Sequence, residues 1–220
     1  EARGADRTRG ITGLVYGCVR GTTRLVGAGL DAALPPLAAL LPQGEASPER
    51  DAVVAALNGV YGDHLARVGN SLAIDMSLRH RDRSLDPRRP EALYDEWRAR
   101  GPGARLLLMV HGLCLNERHW CRAGHDHGEG LAEDLGCVPI YLRYNTGLPI
   151  AANGLALSAL LEQLMDAWPG EPPEVALIGH SMGGLVLRGA LHHADRTRHR
   201  WQRRVRDAVF LGTPHQGAPL

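Results

Sequence analysis

Residues 174–191, EVALIGHSMGGLVLRGAL, constrain the fold of this chain more than any other stretch. Val175, Ala176, Leu177 and Ile178 form an apolar run suited to a strand buried on both faces. Gly179-His180-Ser181-Met182-Gly183 follows, a G-x-S-x-G pentapeptide, and beyond it Leu185, Val186, Gly189 and Ala190 recur at helical spacing. Strand, tight turn and helix, in that order, is the setting in which a serine is lifted clear of a sheet on a strained turn. Gly179 and Gly183 remove the side chains that would collide with the neighbouring strand and helix. The helix starts just after Ser181, so its free N–H groups and positive end face an oxygen on which negative charge can develop. The plainer alternative is a glycine-rich turn that happens to contain serine. A second motif weighs against it.

That second motif is His111-Gly112-Leu113-Cys114, directly after the apolar run RLLLMV at residues 105–110. Acyl transfer through a serine needs two hydrogen-bond donors aimed at the developing oxyanion, and backbone N–H groups are the usual pair. One donor belongs to the residue after the nucleophile, here Met182, and the other to a loop after an earlier strand. Gly112 lets the chain turn so that the N–H of Leu113 points into a cleft. Each such donor is worth roughly two to three powers of ten in rate.

The rest of the pattern is α/β. Leu72, Ile74, Met76 and Leu78 alternate with polar or small residues and predict a half-buried strand. Residues 79–90 read as a polar loop and 91–100 as a short helix opened by Pro90. Val138, Ile140 and Leu142 mark another buried strand, residues 153–168 the clearest helix, 195–206 a charged linker, and 208–211 a last strand. Continuous apolar strands alternating with helices indicate a mostly parallel sheet with helices on both faces. Before it, Ser47-Pro48 makes a helix start, with serine as cap and proline at the first helical position. A glycine-faced helix is expected around residues 11–26, interrupted by Arg20 and Arg24 and therefore unsuited to spanning a membrane. The expected organisation is a helical segment over residues 1–68 and an α/β domain over 69–220.

Together, His111-Gly112-Leu113, Gly179-His180-Ser181-Met182-Gly183-Gly184 and Gly212-Thr213-Pro214-His215-Gln216-Gly217 resemble the α/β-hydrolase superfamily. The likeness is to its bacterial lipase/esterase branch and to the GPI inositol-deacylase (PGAP1-like) α/β domain. It is specific over about residues 105–220. The resemblance implies a serine hydrolase of lipid or other acyl esters, with Ser181 as nucleophile and Leu113 and Met182 supplying the oxyanion hole. His111, Gly112, Gly179, His180 and Gly183 would support those motifs, and residues 212–217 would line the cleft after the next strand. The family order is Ser, then Asp or Glu, then His. The acid and base are therefore expected beyond Leu220, and the α/β-hydrolase fold is expected to be truncated at its C-terminus.

Among residues present, His215 is the one downstream histidine at a strand end, but it does not match the family's catalytic histidine. Asp195 and Asp207 read as surface charges, and His180 as a packing or hydrogen-bonding residue. His119, His125, Asp126 and His127 have the chemistry of a metal site, yet a polar loop with Asp126 capping a helix explains them as well. No metal and no cofactor is expected. His192 and His193 lie near the end of the helix after Ser181, where protonated histidine suits the dipole.

The formal charge of +1, with arginine abundant and lysine absent, gives no footprint for nucleic acid. Four cysteines are too few for a disulfide scaffold and are expected as buried thiols. The expected partner is a small-molecule or lipid ester, with peripheral membrane contact allowed and no oligomeric state implied. A cytoplasmic or membrane-associated protein is expected rather than a secreted one. Two rivals remain: an acyltransferase or thioesterase on the same elbow, and a non-catalytic binding protein of the same fold.

Overall fold

The computed structural model describes residues 47–217. The expected helix at residues 11–26 lies outside them.

Helix α1 (Pro48–Arg67) begins as its sequence requires, with the Ser47 hydroxyl accepting from Arg50 N at 3.2 Å and proline in the first turn. The predicted strand after it is shorter than its alternation suggests: β1 is Ser77–His80 only. Asn58, buried in α1, holds the preceding segment instead. Its amide donates to Leu72 O at 2.7 Å and its oxygen accepts from Ile74 N at 2.9 Å. A side chain thus occupies backbone groups that a neighbouring strand would otherwise pair.

Residues 79–90 are likewise more ordered than a polar loop. β2 (Arg83–Leu85) pairs antiparallel with β1 across a two-residue turn in which Arg81 and Asp82 both have positive φ. That backbone twist matches the twist of the flanking strands, which is why such turns close hairpins. Helix α2 (Glu91–Ala99) follows, then β3 (Arg105–Val110), a short 3₁₀ turn (Glu117–Trp120), and the small hairpin of β4 (Cys121–Arg122) and β5 (His125–Asp126). Next come α3 (His127–Leu135), β6 (Cys137–Arg143), α4 (Ile150–Asp166), β7 (Glu174–His180), α5 (Met182–Thr197), a second 3₁₀ turn (Trp201–Arg204) and β8 (Val205–Leu211). Much of the expected charged linker is therefore helix, and His192 and His193 lie one turn inside α5 rather than at its end.

The main sheet runs β2-β1-β6-β3-β7-β8, parallel from β6 to β8, with the hairpin antiparallel at one edge. β3 and β6 are buried almost end to end, as continuous apolar strands in a sheet covered on both faces should be. One core face holds Leu106, Leu108, Ile140, Leu157, Leu177 and Trp201, and the other holds Leu107, Met109, Trp120 and Tyr141. The architecture is a mostly parallel sheet with helices on both faces and a helical segment ahead of it. β8 differs from its neighbours. It is an edge strand and is mostly exposed.

Candidate active site

Three of the expected motifs end up side by side because β3, β7 and β8 are adjacent and point the same way. β3 and β7 pair with Val110 opposite Gly179, so His111-Gly112 leaves the sheet beside the pentapeptide. β7 pairs with β8 so that His180 faces Leu211, which brings the 212–217 loop to the same edge.

Ser181 links β7 directly to α5, with φ 52° and ψ −124°. A serine in that region carries strain of about 1–3 kcal/mol, held by the packing around it. Its amide donates to Leu211 O at 2.8 Å, and its carbonyl accepts from Gly184 N at 3.1 Å in the first turn of the helix. The glycines of the motif have distinct tasks. A β-carbon on Gly179 would stand 2.6 Å from Gly184 Cα, and one on Gly183 would stand 2.3 Å from Val110 O and 2.5 Å from His111 O. Gly179 therefore lets the helix down onto its own strand, and Gly183 lets it down onto the end of β3. Gly112 does the same for the facing loop, since a β-carbon there would lie 3.1 Å from Ser181 Cβ. Met182 is the first residue of α5, so its N–H has no partner in the helix's own ladder.

The His111 loop is held rigidly. His111 is fully buried, and its Nδ1–H donates to Gly112 O at 3.0 Å. Peptide C=O and N–H point to opposite sides of a trans unit, so this bond also fixes the direction of the Leu113 N–H. The ring stacks on Tyr144 with centroids 4.6 Å apart, and the Tyr144 hydroxyl donates to His111 O at 2.8 Å. Burial lowers the His111 pKa from 6.5 to about 4, so the ring is neutral near pH 7 with its proton on Nδ1. Leu113 itself is 44% exposed at the rim.

The histidines around the elbow divide by their contacts. His180 stacks on His119 at 5.4 Å and meets Trp120 edge-on at 6.3 Å, and burial lowers its pKa. Burial also lowers the His119 pKa, with the nearby His180 adding to the effect. His215 Nδ1 lies 3.0 Å from the Arg188 guanidinium. Among the described residues, no histidine ring or carboxylate is hydrogen-bonded to the Ser181 hydroxyl. Asp126 caps α3, accepting from Gly128 N and Glu129 N. Asp207 is exposed and pairs with Arg105 at 2.7 Å. Cys114 and Cys137 are buried thiols as expected, but Cys121 is exposed because its two-residue strand lies on the surface. A cavity of about 540 Å³ between the end of α1 and α4 is lined by Ile74, Asp75, Met76, Asn145 and Asn153, away from the serine motif.

The sequence motifs give no hint of Tyr144, Thr146 or Gly59, which nonetheless hold the His111 loop. Thr146 Oγ1 accepts from Cys114 N at 3.1 Å, and Cys114 is a non-glycine residue at φ 59°. A β-carbon on Gly59 of α1 would lie 2.3 Å from Cys114 Sγ. The available signal was the pair Gly59 and Gly62 inside a helix, since glycine weakens a helix and is best explained there by a close approach.

A sequence profile of the PGAP1-like alpha/beta domain family matches residues 155–220. The Bacillus licheniformis lipase is similar in structure, at 24% sequence identity in both its mature and propeptide forms. The mature form aligns over 53% of this chain and 44% of the lipase with a TM-score of 0.44, and the propeptide form over 53% and 24% with a TM-score of 0.43. The chain thus spans less than half the length of the lipase it aligns with. No curated protein matches it by sequence.

Proposed function

We propose that this chain carries the nucleophile and oxyanion hole of a serine carboxylester hydrolase acting on lipid or other acyl esters. The observation that supports it most is Ser181 itself, a strained residue raised on a turn between β7 and α5, with Gly112 of the facing loop close beside it and Gly179 and Gly183 seating the helix behind it. A turn that merely joined strand to helix would have no reason to hold a serine at φ 52°.

In this reading Ser181 Oγ attacks the ester carbonyl, and its proton passes to a general base. The carbonyl oxygen becomes an oxyanion that accepts from the N–H groups of Leu113 and Met182. Collapse of that intermediate expels the alcohol, which takes up the proton, and leaves an acyl-enzyme on Ser181. Water, deprotonated by the same base, then releases the acid. Among the described residues none is hydrogen-bonded to the hydroxyl, and this reading assigns the base and its carboxylate partner to residues outside them. The exposed Leu113 beside the serine suits an apolar acyl chain at the rim.

The test is hydrolysis of a short acyl ester by the protein carrying this chain. Ser181→Ala is expected to reduce turnover on the order of a millionfold, as when a nucleophile–base unit is broken. A variant keeping most of its turnover would remove Ser181 from the mechanism.

A further inference from the structure

We propose that α1 and the loop after β6 form a brace that sets the oxyanion peptide, with Thr146 as its positioning residue; this rests on the hydrolase reading above.

The oxyanion loop, residues 111–114, is fixed at three successive peptide units, two by the loop after β6 and one by its own His111 ring. The His111–Gly112 unit is held through its carbonyl by the Tyr144 hydroxyl. The Gly112–Leu113 unit, which carries the donor N–H, is held through its carbonyl by the His111 ring. The Leu113–Cys114 unit is held through its N–H by Thr146 Oγ1. Tyr144 and Thr146 lie two residues apart just beyond β6, so the first and third anchors share one loop.

That loop is itself clamped to α1. Asn145 Nδ2 donates to Gly62 O at 2.8 Å, and Asn153 Nδ2 donates to Asn145 O at 2.9 Å. A β-carbon on Gly62 would overlap Asn145, and one on Gly147 would come within 2.2 Å of Asn58 O. Gly59, one turn earlier than Gly62 on the helix, receives Cys114 directly. Both loops therefore rest on the same helical face. The left-handed backbone at Cys114 is unfavourable for a residue with a β-carbon and persists because α1 and Thr146 hold it. An error of about 1 Å at such a donor can cost roughly a hundredfold in rate.

Thr146→Val keeps the shape of the side chain and removes the acceptor, whereas Thr146→Ser keeps the hydroxyl. In the protein carrying this chain, Thr146→Val is expected to lower kcat for a short acyl ester by between about tenfold and a hundredfold, with KM within twofold. Affinity for a boronic acid that captures Ser181 as a tetrahedral adduct should fall by the same factor. Hydrogen exchange at the Cys114 amide should accelerate, and Thr146→Ser should restore all three quantities. If Thr146→Val does not fold, Tyr144→Phe removes the first anchor and is read in the same way. Unchanged kcat despite faster Cys114 exchange would overturn the proposal, as would a loss confined to KM. Retained turnover in Ser181→Ala would instead overturn the hydrolase reading, and the exchange data would then describe a brace with no catalytic task.

Discussion

Burying a histidine as completely as His111 links the loop of residues 111–114 to pH. Burial lowers its pKa to about 4 against 6.5 in an unfolded chain, so the folded protein holds fewer protons between those values. Stability from this site is therefore complete above about pH 6.5 and is lost progressively as the pH falls toward about 4, by a total of about 3 kcal/mol. Denaturant titrations from pH 7 to pH 4 should show this extra loss in the wild type and not in His111→Gln. Equal slopes in the two proteins would mean that the ring does not titrate as described. The motif His111-Gly112 was legible in sequence because its glycine announces a turn after a strand. The partners that orient it were not, because Tyr144 and Thr146 are ordinary residues whose role exists only once β6 lies beside β3.

The helix after the serine shows why three glycines of one element are not equivalent. Gly183 seats α5 beneath the carbonyls of Val110 and His111, and Gly184 leaves room for the Thr213 hydroxyl. Gly189 faces α4 with ordinary separations, 3.5 Å to Gly154 Cα and 3.6 Å to Ile150 O. Gly183→Ala should then destabilise the protein by about 3 kcal/mol or more, because backbone atoms have no room to yield. Gly189→Ala should stabilise it by about 0.5–1 kcal/mol through reduced freedom in the unfolded chain. Chemical denaturation of the two variants measures both signs. At this scale the central elements were readable, since β3, β6 and β7 are long apolar runs whose burial is written into their composition. The region from residue 71 to 90 was not. There a buried Asn58 sixteen residues away competes for the backbone of Ile74, and alternation alone carries no sign of that.

Across the whole molecule the sheet is unevenly protected. One edge is a short arginine-rich hairpin, whereas the other is β8, a seven-residue strand with Val209 45% and Leu211 43% exposed. Among the described residues no strand covers the outer side of β8, and an edge of that length with apolar side chains on view favours pairing with another chain. Sedimentation of the 220-residue chain should reveal association that Val209→Lys reduces; an unchanged distribution would show that β8 does not drive it. The strand order has a further consequence, for the time course of folding. β3 takes its place between β6 and β7, strands made later, and the Ser181 amide is tied to Leu211 O, thirty residues further on. Apart from the local bond from Gly184 N, the restraints that join the serine turn to β8 and to the end of β3 are therefore long-range contacts, and such contacts form slowly because distant segments must first be brought together. Refolding should pass through a sheet that already contains β3 and β6 while Ser181 is still relaxed, and the strained turn should appear only when β8 docks.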